Sequence, residues 1–139
     1  AEWVRENTPR HAVLVCFPMP NRLTVEAYES ATMWMIWQTR HERRMVNGYS
    51  AFTPQSHLTL QQRVARFPDD ASLRALAEWG VTYCVVKRSA GAPSLERVTT
   101  DGRWCLQPVF VDNASVTEIY EIAPLPLPED PFASHRVGP

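Results

Sequence analysis

Apolar residues along this chain fall into distinct runs. Residues 11–17 and 81–87 are almost continuously apolar, and the first is closed by Pro18-Met19-Pro20. Unbroken apolarity over so short a span predicts strands buried on both faces. Residues 56–67 instead place Leu58, Leu60, Val64 and Phe67 at near-helical spacing, and Pro68 stops the helix. Asp69 or Asp70 then caps a second helix, whose apolar residues are Leu73, Leu76, Ala77 and Trp79 and whose end is marked by Gly80. A helix, a glycine and an apolar strand in succession form the return path of an α/β unit. Residues 104–111 and 116–122 read as two strands joined by Asp112-Asn113-Ala114-Ser115, an antiparallel hairpin. In that last strand Glu118 and Glu121 are assigned to the solvent side.

The remaining segments complete an α/β fold: a mixed, partly parallel sheet flanked by helices, with a C-terminal antiparallel hairpin. Residues 1–7 read as the last turns of a helix stopped near Pro9, so the chain looks cut from something longer. Residues 23–30 form a short helix. Residues 32–38 carry two tryptophans, two methionines and Ile36, and are read as a buried strand with 43–46 as a short partner, although Met33, Trp34 and Trp37 also fit a helical stripe. Residues 94–100 are assigned to a short helix and Asp101-Gly102 to a turn. One domain therefore spans 1–123, and the Pro-rich, aperiodic segment 124–139 is an extended or disordered tail.

Composition narrows the function classes. The 139 residues are 45% hydrophobic and 21% charged, values of a folded domain and not of a disordered chain. A net charge of −1 lacks the basic footprint of nucleic-acid binding. No apolar run approaches the ~20 residues of a membrane span. Cys16, Cys84 and Cys105 each lie in an apolar run without metal-ligand spacing, so they read as three buried thiols with no disulfide. Asp69-Asp70 suits a helix cap better than a metal or acid–base pair. No GxSxG, P-loop or GxGxxG motif is present, and neither a cofactor nor a metal is expected.

Polar chemistry concentrates between Thr39 and Pro54. Arg40, His41, Arg44, Asn47, Tyr49 and Ser50 are the candidate ligand-binding residues, and no catalytic residue is assigned. His41 has the chemistry of a general base or of a sugar hydrogen-bond partner; the plainer alternative is a histidine that orders the turn. Arg40, Arg43 and Arg44 can clamp a phosphate or form a solvated charge run. Asn47-Gly48 is a strong turn signal, and Asn47 and Tyr49 can hold that turn or meet a ligand.

The order of these pieces resembles the extracytoplasmic C-terminal domain of bacterial multi-spanning membrane proteins of the GT-C glycosyltransferase type, related to the dolichyl-phosphate-mannose protein mannosyltransferase group. The matching residues are Phe17-Pro18-Met19-Pro20, Thr39-Arg40-His41, Val46-Asn47-Gly48-Tyr49-Ser50-Ala51-Phe52-Thr53-Pro54, Phe67-Pro68-Asp69 and Gly80-Val81-Thr82-Tyr83-Cys84-Val85-Val86. Ala51 stands where glycine is usual and Gln38 where serine is common. The resemblance implies a membrane-adjacent domain, periplasmic or on the outer face, of a protein using a lipid-linked sugar. It implies that this domain is not catalytic alone, and that its partners are the transmembrane portion of the same protein and a lipid-phosphate sugar or glycan acceptor. The alternatives are a structural or interaction domain without a ligand, or a stand-alone small-molecule-binding enzyme using His41 as base.

Overall fold

The computed structural model describes residues 1–19, 24–48, 54–88, 98–100 and 104–124. In chain order they form α1 (Glu2–Asn7), β1 (Val13–Phe17), α2 (Val25–His41), β2 (Arg44–Met45), α3 (Gln55–Arg63), α4 (Asp70–Glu78), β3 (Tyr83–Lys87), β4 (Val98–Thr100), β5 (Trp104–Asp112) and β6 (Thr117–Pro124). The strands make one six-stranded sheet in the order β2-β1-β3-β6-β5-β4. β1 runs parallel to β2 and β3, and β6, β5 and β4 are added antiparallel in turn.

The two continuous apolar runs are adjacent central strands, as their patterning predicts. Leu14 and Cys16 of β1 face one side with Tyr83 and Val85 of β3, while Val15 and Phe17 face the other with Cys84 and Val86. On the Leu14 side α1 and α2 supply Trp3, Val4, Trp34 and Trp37. On the Val15 side α3 and α4 supply Leu60, Leu73 and Leu76. The fold is thus three layers. From β1 the chain reaches β2 on one side through α2, then crosses back to β3 through α3 and α4. Crossovers of one hand running in opposite directions put their helices on opposite faces of the sheet.

Local chemistry sets the helix ends. The Asp69 side chain accepts from Ser72 N at 2.8 Å, and Gly80 adopts φ +73 just beyond α4. Leu73 and Leu76 are fully buried, each contributing about 1.5–3 kcal/mol of transfer free energy. Trp79 is exposed and is not part of that face. All three cysteines are free and buried, and burial holds the thiols of Cys16 and Cys84 well above their ordinary pKa.

Two assignments from the sequence are corrected. Residues 32–38 are helical, and with 25–30 they belong to the single helix α2. Thr24 caps it by accepting from Ala27 N at 3.2 Å, and Trp34, Trp37 and His41 recur at three- and four-residue spacing towards the sheet. The period is masked because Met33, Met35 and Ile36 on the outer side are apolar as well. Residues 98–100, placed in a helix by the sequence, form β4 against β5; Val98, Thr99 and Thr100 are β-branched and suit a strand. Residues 94–97, the Asp101-Gly102 turn and the tail from 125 onward lie outside the described residues.

Candidate functional site

The segment after α2 is built around two buried polar side chains. Glu42 adopts a left-handed φ of 57 and ends the helix, with its N–H donating to Gln38 O at 2.9 Å. The reversal lets Arg43 N donate to His41 Nδ1 at 3.0 Å. The His41 ring is fully buried and meets Trp37 edge-on at 4.4 Å. Because Nδ1 accepts, the proton resides on Nε2, which has no hydrogen-bond partner among the described residues. Arg43 turns inward. Its guanidinium donates to Thr8 Oγ1 at 3.1 Å, Thr8 O at 3.0 Å, His41 O at 3.2 Å and Arg5 O. These bonds tie the C-terminal end of α1 to the end of α2.

Asn47 sits beyond β2. Its Oδ1 accepts from Cys16 N at 2.5 Å and its Nδ2 donates to Cys16 O at 2.8 Å. The side-chain amide thus continues the pairing of β1 where the two-residue β2 ends. His41 and Asn47 lie at opposite ends of β2, so the fold does not gather them into one pocket. Arg40 and Arg44 are exposed, and Arg40 lines a shallow polar depression with Arg5, Thr39 and Glu42. Tyr49 and Ser50 lie outside the described residues.

Burial, reinforced by the positive charges of the chain's terminal amine and Arg43, lowers the His41 pKa from 6.5 to about 4. The folded state therefore favours the neutral ring. Its stabilisation is complete above pH 6.5 and is lost as the pH falls from there through about 4, a total of about 3 kcal/mol. Urea unfolding followed across this window should show that slope, and His41→Phe should flatten most of it. The half-buried His57, whose pKa burial also lowers, contributes in the same direction. Asp69 and Asp112, held low by hydrogen bonds, act at more acidic pH. An unchanged slope in His41→Phe would assign the dependence elsewhere.

A concavity on the α1–α2 face was not anticipated from the sequence. A groove of about 620 Å³ opens between α1, α2 and the β5–β6 hairpin. Trp3, Met33, Trp34, Trp37 and Phe110 form its walls. Trp3 and Phe110 pack at 5.1 Å, and Trp34 and Trp37 meet edge-on at 5.8 Å. The Trp34 indole Nε1 is buried and has no hydrogen-bond partner among the described residues. The rim carries Glu2, Ser30, Lys87, Asp112, Ser115 and Thr117. Asp112 is fixed in the turn, accepting from Ala114 N at 3.0 Å and Ser115 Oγ at 2.6 Å. Lys87 ends β3, at the carboxyl edge of the parallel strands. Only Trp34 and Trp37 carried a sequence signal, through their spacing; Trp3 and Phe110 are far apart in the chain and meet only in the fold.

Glu118 is a further correction. It is fully buried, not solvent-facing: residues 118, 120 and 122 share the α3–α4 side of β6, and Glu121 alone of the two glutamates is exposed. Its Oε1 pairs with Arg88 Nε at 2.9 Å, and Tyr120 Oη donates to Oε2.

Geometrically this is a three-layer α/β domain with an aromatic groove on its α1–α2 face. Compared with known proteins, the chain matches no family model, no curated protein and no solved structure.

Proposed function

We propose that this chain is the membrane-adjacent, extracytoplasmic domain of a glycosyltransferase-like membrane protein using a lipid-linked sugar, and that it is not catalytic alone. Its partner is the transmembrane portion of the same protein, and the outer face of α2 is the contact. The observation that carries the reading is the apolarity of α2 on both sides. The inner side packs on the sheet, yet Val25, Met33 and Ile36 on the outer side remain 70%, 64% and 49% exposed, joined by Met35 and Tyr28. An exposed apolar patch of this kind marks an interaction face, and the sheet covers only the inner side of the helix. Among the described residues no helix is long and apolar enough to cross a membrane, so the contact is made by a face and not by a span. The order of motifs set out above supports the same reading. A fully buried His41 with its pKa near 4 makes a poor general base at neutral pH, which weighs against the stand-alone enzyme.

The test is made in the full-length protein in lipid nanodiscs. A photo-reactive side chain at position 25 should cross-link to a transmembrane segment, whereas one at Gln62 on the exposed side of α3 should not. Met35→Glu with Ile36→Glu should abolish that cross-link and reduce sugar transfer without altering the domain's circular dichroism. Equal cross-linking from both helices, or full transfer by the double variant, would overturn the assignment.

A further inference from the structure

The geometry points to the aromatic groove as a binding site for a neutral pyranoside sugar. This rests on the reading above and gives the domain a ligand of its own; of the exposed α2 residues named there, Met33 alone also lines the groove. A pyranose presents apolar C–H faces and hydroxyl edges. Ligand sites pair apolar walls with a few placed polar groups, in volumes of about 300–1,000 Å³, and the groove holds about 620 Å³. Trp3 and Phe110 offer a joined aromatic surface for the sugar face. The Trp34 indole lines the groove beside them with its N–H buried beneath the surface, so a ligand meets the ring and not the N–H.

The rim distinguishes among ligand classes. Two carboxylates, Glu2 and Asp112, stand with two amines, Lys87 and that of Ala1, a balance without the positive excess that a phosphate or a polyphosphate calls for. The same charges and the hydroxyl of Thr117 disfavour an alkyl chain, which would bury them unpaired. A neutral polyol uses all of them: carboxylates accept from its hydroxyls, and amines donate to them. The turn bearing Asp112 and Thr117 is held by its own side-chain bonds, so the rim is formed before a ligand arrives.

The experiment titrates the 139-residue chain with methyl glycosides of glucose, mannose and galactose, watching the indole N–H signals of its five tryptophans by NMR. The expected result is a saturable shift of the Trp34 signal with millimolar affinity for at least one glycoside. Thr117→Val, an isosteric rim change that spares the core, should weaken it about three- to ten-fold for the loss of one hydrogen bond, and Trp3→Ala about ten-fold or more for the loss of half the aromatic surface. No saturable shift with any glycoside would overturn the proposal, as would affinity unchanged by both variants. Tighter binding of a sugar 1-phosphate than of the methyl glycoside would overturn the neutral class, and an equal response to octanoate would make the groove an acyl site instead. These outcomes are independent of the α2 cross-link, so either proposal can fail while the other stands.

Discussion

Glu118→Ala should be among the most destabilising single substitutions, lowering the unfolding free energy by about 3–5 kcal/mol. The Glu118 carboxylate has no solvent exposure, and its partner Arg88 retains only 14%. Deleting the carboxylate removes the counter-charge that Glu118 gives a largely buried guanidinium, and an acceptor of the Tyr120 hydroxyl. Both losses fall in a dry region, where screening is weak. The cost reports broken compensation and not the net worth of the pair. Glu118→Leu combined with Arg88→Met should therefore recover most of the loss, because removing both charges removes the desolvation penalty with them. Denaturant unfolding of the two single variants and the double variant measures this coupling directly. A loss below about 1 kcal/mol for Glu118→Ala, the range of exposed pairs, would show that water reaches the network.

Arg43→Met should cost about 3–5 kcal/mol and release α1 from the domain, since each buried acceptor left unmet costs about 1–3 kcal/mol. The guanidinium serves Arg5 O, Thr8 O, Thr8 Oγ1 and His41 O together. The first two lie at the end of α1, where no further helical turn can satisfy them. Lysine should not substitute, because one ammonium cannot span acceptors arranged around a planar fork. Hydrogen exchange should locate the damage, with amides of residues 4–8 losing protection before those of β1. The groove would loosen at the same time, since Trp3 and Glu2 are carried by α1. Uniform loss of protection across β1 and β3 would instead mean that Arg43 supports the whole fold.

Several elements follow from the chain itself, because their causes are local. The runs at β1 and β3 can be read as buried strands since both faces of each are apolar over consecutive residues. Asp69 and Gly80 bracket α4 through backbone chemistry that needs no distant partner. The β5–β6 hairpin is marked by its turn residues, and the three cysteines read correctly as buried thiols because their neighbours are apolar.

What the chain could not display is which side chains a face would bury. α2 looked like a strand at 32–38 because its outer side is as apolar as its inner side, which erases the helical period. Glu118 looked solvent-facing because alternation gives parity and not which side is covered; α3 and α4 cover the side it occupies. Arg43 looked like one of several surface arginines, and only the approach of α1, whose last carbonyls lack donor partners within the helix, draws it inward. His41 and Asn47 looked like members of one polar cluster; β2, too short to be prominent in sequence, separates them by pairing with β1. The groove joins residues from opposite ends of the chain across two layers. Composition and periodicity thus determined the strands, caps and core of this protein. Burial of individual charges and the meeting of distant aromatics were decided only when the layers packed, because desolvation depends on the neighbour across the interface and not on the neighbour in the chain.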